Sequence, residues 1–235
     1  MALIDTLAQN WPKLIDGVGT TLALTGLGAL IAAIAAPPLA LLRAQGSALA
    51  QAPLRIYISF IRGTPILAQL FLVFYGSGQF RVELQSLGLW GFFRDPFNCA
   101  VLVFAINSCA YQTEILRGGI QAVTPGEIEA GRAIGMSRLT VLRRIVFPHA
   151  YRIAWPALGN EIILLIKASA LASVVTVFDL MGRTRQIFSR SFDFSIYFWA
   201  AVLYLAMTIS FVLLWRLAER RLSRHMTGHT PQGVQ

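Results

Sequence analysis

The sequence predicts an all-α integral membrane protein with five transmembrane helices and a long cytoplasmic loop. Charged residues make up only 13% of its 235 residues and apolar ones 56%, whereas about a quarter of a typical soluble chain is charged. Five apolar stretches, at 18–42, 54–75, 98–116, 157–178 and 196–218, reach the roughly 20 residues that a helix needs to cross a ~30 Å hydrocarbon core. The basic residues also fall unevenly between the two sets of connections, as membrane insertion requires.

The first segment, 1–16, mixes Ile4, Leu7, Trp11 and Leu14 with Asp5, Lys13 and Asp16. It lacks the basic start and small-residue cleavage site of a secretory signal, so the expectation is an uncleaved interfacial helix. A single transmembrane domain over 17–222 follows, with a disordered cytoplasmic tail at 223–235. In the second span, Gly63-Thr64-Pro65 interrupts an otherwise apolar run just after Arg62. Pro65 has no N–H, which leaves the carbonyl of Ile61 free to line a cavity or a break in the helix. The third span carries Asn107, Gln112 and Glu114, and also Cys99 and Cys109, which read as packed free thiols rather than a disulfide or metal site.

Between the third and fourth spans lies a charged, glycine-punctuated loop, 124–148. Thr124 is placed to N-cap a short helix, with Pro125 at its first position and Glu127 closing a capping box. Gly135 can end that helix in a left-handed conformation. Ser137 can cap a second helix, from Arg138 to about Phe147, that Pro148 stops. Gly131 and Gly135 are four apart, so one face is nearly bare and suited to docking in a groove, with Glu129 and Arg132 beside it. An amphipathic hairpin lying on the membrane is the alternative. The fourth span carries Asn160, Glu161 and Lys167. Six residues of helix rotate by roughly 240° net, so Glu161 and Lys167 cannot share a face. His225 and His229 have helical metal spacing but fall in the tail, where a metal site is not expected.

Twelve basic residues, including Arg43, Arg55, Arg117, Arg143 and Arg220, lie on the connections that share a side with the 124–148 loop and the C-terminus. Six lie on the other side: Lys13, Arg81, Arg94, Arg183, Arg185 and Arg190. The positive-inside rule therefore puts the loop and C-terminus in the cytoplasm and the N-terminus outside. Arg183, Arg185 and Arg190 dissent, either as a solvated loop or as a surface that faces a partner or an anionic ligand. The net charge of +9 follows from this bias and from lipid headgroups; no aromatic–basic interleaving points to nucleic acid.

Glu129-Ala130-Gly131, three residues, Gly135, nine residues, then Ile145-Val146-Phe147-Pro148 resembles the EAA loop of ABC importer permeases. Gly131 stands where that pattern has a second alanine, and Phe147 where it has leucine. Phe60–Ile66, Asn107–Gln121 and Leu158–Lys167 resemble the polar-amino-acid branch of the family, histidine permease-like. The resemblance covers roughly residues 17–221. It implies a type I ABC importer permease fold in a bacterial inner membrane. It also implies two permease subunits, identical or paralogous, two ATP-binding subunits and a periplasmic solute-binding protein. Glu129, Ala130, Gly131 and Gly135 would then belong to the coupling helix. The sequence adds its own argument that the motor lies elsewhere. A P-loop needs Gly-Lys-Ser/Thr, and the only lysines, Lys13 and Lys167, do not follow glycine. ATP and Mg are accordingly expected on the partner ATPase, with no cofactor on this chain.

A charge at the bilayer centre costs at least ~2.5–3.5 kcal/mol on insertion scales, so polar residues within the spans are expected to face the bundle interior. Arg62, Gln112, Glu114, Asn160, Glu161 and Lys167 are the candidates for a substrate pathway. Arg62 either pairs with Glu114 or Glu161 or contacts ligand; Glu114 and Gln112 suit a gate or a structural pair as well as a substrate contact. Where the family typically follows the lysine with Asp-Thr-Ser, this chain has Ala168-Ser169-Ala170, which puts that position's role in doubt. Acidic Glu114 and Glu161 suit a cationic amino acid and Arg62 an α-carboxylate. The outer connection 76–96 is similar to those of permeases for histidine, lysine, arginine or opines, with glutamine and glutamate as open alternatives. A secondary transporter would call for more spans and internal repeats, and a membrane enzyme for a nucleophile–base or metal constellation that three histidines do not provide.

Overall fold

The computed structural model describes residues 2–223, and over them the chain is helical throughout. His225, His229 and nearly all of the expected tail lie outside the described residues. In chain order the helices are α1 (Ala2–Gln45), α2 (Ala48–Gly63), α3 (Ile66–Gln79), α4 (Arg81–Ser86), α5 (Trp90–Phe93), α6 (Pro96–Gln121), α7 (Pro125–Ala133), α8 (Arg138–Val141), α9 (Phe147–Ala168), α10 (Leu180–Ser191) and α11 (Ser195–Ser223). A π-helical turn, Leu142–Val146, joins α8 to α9, and a 3₁₀ stretch, Ser169–Val175, follows α9. Among the described residues, four helical runs are long and apolar enough to cross a membrane; α2 and α3 make a fifth if counted as one span.

The expected N-terminal segment is not separate from the first span. α1 continues without a break through residue 16, because Leu7, Leu14 and Val18 pack against Leu180, Ile187 and Ile196. Burial on α10 and α11 thus competes successfully with the membrane surface for these side chains. The second span is bent by 104° between α2 and α3. The expected break at Gly63-Thr64-Pro65 is present, but its depth exceeds a simple proline kink.

α1 and α6 lie side by side and run in the same direction. Gly28 approaches Phe104 so closely that an added Cβ would lie 3.0 Å from its side chain, and further along Arg43 reaches Glu114 at 3.2 Å. α9 runs antiparallel to α6: Ser108 meets Glu161, while Gly119 meets Ala150, whose carbonyl oxygen would be 2.5 Å from a Cβ at Gly119. Small residues at such contacts let helix backbones approach where lipid supplies no hydrophobic drive. Ala32, Ala36, Ala40, Leu116, Ala150 and Ala154 form the resulting core. α11 closes the bundle on α9, with Trp215 packed on Gly159 and stacked on Trp155 at 4.2 Å.

On the outer side by the expected orientation, Asp179 caps α10 by accepting from the Gly182 N–H at 2.9 Å. It also accepts from the Tyr204 hydroxyl at 3.2 Å. Burial raises its pKa, and these hydrogen bonds oppose the rise. Thr21 accepts from the Leu180 N–H, so α1, α10 and α11 meet at one polar knot. Arg183 of the dissenting basic cluster turns back to pair with Asp16; Arg185 and Arg190 stay exposed.

Candidate functional site

Two places gather the chemistry foreseen in the sequence: a cavity at the break in the second span, and the hairpin between α6 and α9.

The cavity encloses about 280 Å³ and is lined by Thr64, Pro65, Ile66, Asn107, Tyr111, Glu161, Leu164, Leu165 and Ala168. It exists because the chain turns sharply at Pro65. The turn is stabilised by Gln69, whose amide donates to the Ile61 carbonyl at 2.9 Å and to Thr64 Oγ1 at 2.9 Å. Its own oxygen accepts from Asn107 at 3.1 Å, and the Thr64 hydroxyl donates to the Phe60 carbonyl. The Phe60 and Ile61 carbonyls at the break are thereby matched to side-chain donors, as an apolar surround favours.

Glu161 is only 6% exposed. One carboxylate oxygen accepts from the Ser108 hydroxyl at 2.7 Å, and Gln112 donates to Ser108 at 3.0 Å. The second oxygen accepts no hydrogen bond among the described residues. A buried carboxylate that lines a cavity and has one oxygen unmatched retains acceptor capacity for a hydrogen-bond donor.

The other candidates separate. Arg62 is exposed and pairs with neither Glu114 nor Glu161; its guanidinium lies over the ring of Tyr111, 5.1 Å from the centroid, and so borders the cavity by way of a lining residue. Glu114 is committed to Arg43 at 3.2 Å and Arg117 at 2.7 Å, a structural clasp between α1 and α6. Gln112 is buried and reaches Ser108 and the Ala29 carbonyl. Asn160 faces a different cavity with Phe211, Trp215 and Arg216, and Lys167 points outward from α9 without an ion pair among the described residues. Gln69, Ser108 and Tyr111 join the site by tertiary placement. Gln69 carries the one available signal, a polar residue four positions after a helix-breaking proline.

In the hairpin, Gly135 ends α7 at φ +80°. The Met136 and Gly135 N–H groups bond back to the Gly131 and Arg132 carbonyls, a Schellman ending. Ser137 accepts from the Thr140 N–H, as its capping position foretold. Three expectations need correction. Thr124 stands at the N-cap without a side-chain bond, and Glu127 closes no capping box but reaches His149 at 2.6 Å. Pro148 does not stop the second helix. Phe147 bonds to Leu142, five residues back, and this wider turn accommodates the proline so that the helical run continues.

The bare face of Gly131 turns inward. A Cβ there would lie 2.6 Å from the Ile145 side chain and 3.4 Å from Val141, so this glycine closes the hairpin rather than presenting it. The outward face holds Glu129, Ala130, Ala133 and Ile134, with Ile134 75% exposed.

Comparison with known proteins agrees with this architecture. Residues 27–224 match the family described as binding-protein-dependent transport system inner membrane component. The nopaline transport system permease protein NocM of Agrobacterium fabrum is 43% identical over 224 residues, 95% of this chain and 93% of its own. The histidine/lysine/arginine/ornithine transport system permease protein HisM of Escherichia coli K12 is 39% identical over 234 residues, 95% and 98% of the two chains. Among solved structures, an amino acid ABC transporter crystallised with histidines superposes with a TM-score of 0.78 at 36% identity, covering 92% of this chain and 96% of that one. The MetNI methionine ABC transporter in an inward-facing form gives 0.76 at 18% identity, covering 92% and 99%, a likeness of fold.

Proposed function

The chain belongs to the binding-protein-dependent transport system inner membrane component family, and from that premise we propose that it carries basic amino acids or opines across the inner membrane by alternating access. It is a multi-pass permease subunit and not an enzyme. ATP and Mg are held on two separate ATP-binding subunits, and a periplasmic binding protein delivers the solute. A second permease subunit, identical or paralogous, completes the pathway. The N-terminus lies outside and the C-terminus in the cytoplasm, in keeping with the basic bias of the connections.

The observation that carries the solute reading is the Glu161 carboxylate on the wall of the cavity, with Arg62 held near by over Tyr111. An acid for a cationic side chain and a guanidinium for an α-carboxylate are the complement of a basic amino acid. α7 serves as the coupling element: Glu129, Ala130, Ala133 and Ile134 engage the ATPase, while Gly131 and Gly135 give the hairpin its shape. ATP binding draws the α7 helices of the two permeases together and reorients the spans around the cavity; hydrolysis resets the inward-facing state.

Two measurements test this. Purification from the native host in mild detergent, with mass spectrometry of what accompanies the chain, should return an ATP-binding subunit at two copies per complex. The reconstituted complex with its binding protein should then show ATPase activity stimulated by lysine, arginine, histidine or an opine. A chain that purifies alone, or a complex stimulated only by neutral or acidic solutes, would overturn the corresponding part of the reading.

A further inference from the structure

A second cavity, of about 300 Å³, lies between the end of α1 and the hairpin, and its lining includes Gln45, Ile128, Arg132, Arg138, Val141 and Val146. Val141 and Val146 are buried and form an apolar floor. Arg132 and Arg138 are exposed, and neither forms an ion pair among the described residues. Glu127 pairs with His149 and Glu114 with Arg43 and Arg117, while the exposed Glu129, about 60° round α7 from Arg132, forms no ion pair among the described residues.

The cavity faces away from the coupling surface. At 100° per residue, Ile128 and Arg132 lie about 40° apart on α7, and the centre of the Glu129–Ala130–Ala133–Ile134 face is roughly 150° from them. Gln45 ends the first span, which places the opening at the level where the span leaves the membrane. Two guanidinium groups above an aliphatic floor match a phosphate followed by glycerol and acyl carbons. Arginine binds phosphate with charge-assisted, bidentate geometry, and basic pockets between helices on the cytoplasmic side receive anionic headgroups.

We infer that this cavity binds the phosphate-bearing headgroup of an anionic phospholipid in the inner leaflet, with Arg132 and Arg138 as the anion ligands. Lipid occupancy there would brace the membrane side of α7 while its opposite side meets the ATPase. The inference rests on the placement of the hairpin at the inner membrane surface, which labelling of a Ser137→Cys variant from each side of the membrane tests separately.

The test is native mass spectrometry of the full chain in mild detergent, titrated with phosphatidylglycerol or phosphatidylcholine. Phosphatidylglycerol should bind in preference, and Arg132→Gln/Arg138→Gln should weaken it by about tenfold or more, since each basic contact contributes on the order of a few-fold. Arg132→Lys/Arg138→Lys should recover much of the loss. Arg220→Gln/Arg221→Gln, which removes the same charge from the end of α11, should change binding by less than about twofold, as expected of charges outside the site. Equal losses in the two glutamine variants, or no preference for phosphatidylglycerol, would overturn the assignment. So would displacement of the lipid by millimolar inorganic phosphate, which marks a free-anion site, or by the purified ATPase subunit, which marks a protein interface. A thermal melt of each variant verifies that loss of binding is not loss of fold.

Discussion

The side-chain amide of Gln69 donates to the carbonyl of Ile61 at 2.9 Å, the group that Pro65 leaves without its helical partner. A side chain thus replaces the missing backbone N–H, and the 104° bend becomes a fixed feature rather than a loose joint. Gln69→Leu should orphan that carbonyl in an apolar setting and lower stability by about 1–3 kcal/mol. A denaturant or thermal melt in detergent checks this; an unchanged midpoint would show that the bend holds itself.

Glu161→Gln keeps an oxygen to accept from Ser108 but removes the charge beside the cavity. Abundance and melting temperature should hold, while the apparent affinity for a basic solute should fall by about tenfold, or ~1.4 kcal/mol. Uptake titrations with a basic and a neutral amino acid would read the change. A loss of abundance with unaltered affinity would make Glu161 a structural residue.

Ile134→Asp, on the outward face of α7, should leave stability within ~0.5 kcal/mol, as surface changes do, yet abolish solute-stimulated ATPase activity. Gly131→Trp should act differently. Its Cβ would already crowd Ile145 at 2.6 Å, so the hairpin should open and both abundance and activity should fall. Assaying the two variants side by side separates docking from hairpin closure; an inactive but fully stable Gly131→Trp protein would restore the docking reading for that glycine.

Gly135→Ala should cost about 1 kcal/mol, because φ +80° favours glycine over residues with a Cβ. No neighbour lies within 4 Å of an added Cβ there, so the loss is strain without collision. A melt that matches the parent would refute the strain.

Gly119→Val should be more severe than either change at Gly135 or Ile134. The obstacle is the Ala150 carbonyl oxygen, 2.5 Å from the new Cβ, and backbone on both sides cannot turn aside. Overpacking of this kind costs about 1–3 kcal/mol, and reduced membrane abundance with a lower melting temperature is the expected outcome.

Much of this was legible in the sequence because it depends on local rules. Span positions follow from apolar length, the end of α7 from glycine at a left-handed position, and the start of α8 from Ser137. The break at Pro65 follows from a missing donor. What escaped depends on tertiary partners. Glu127 was placed to cap its own helix, but His149, brought alongside by the fold, offered a better contact. Glu114 and Arg62 had complementary charge, but Arg43 and Arg117 lie nearer to Glu114. Spacing put Gly131 and Gly135 on one face without telling which way it turned; only Val141 and Ile145, packed against it, decide that. Pro148 obeyed its rule against ordinary helix and was accommodated by a five-residue turn, a choice stabilised by the span that follows.

That accommodation makes Arg138–Val175 one helical run of 38 residues. Ile145, near its start, is seated against Gly131 of α7, and Glu161, further along, lines the cavity. Between them Gly119 of α6 meets Ala150. At 1.5 Å per residue, Ile145 and Glu161 lie roughly 7 Å and 16 Å along the run from that contact. The hairpin and a cavity wall that it never touches are thus two stations on a single rod.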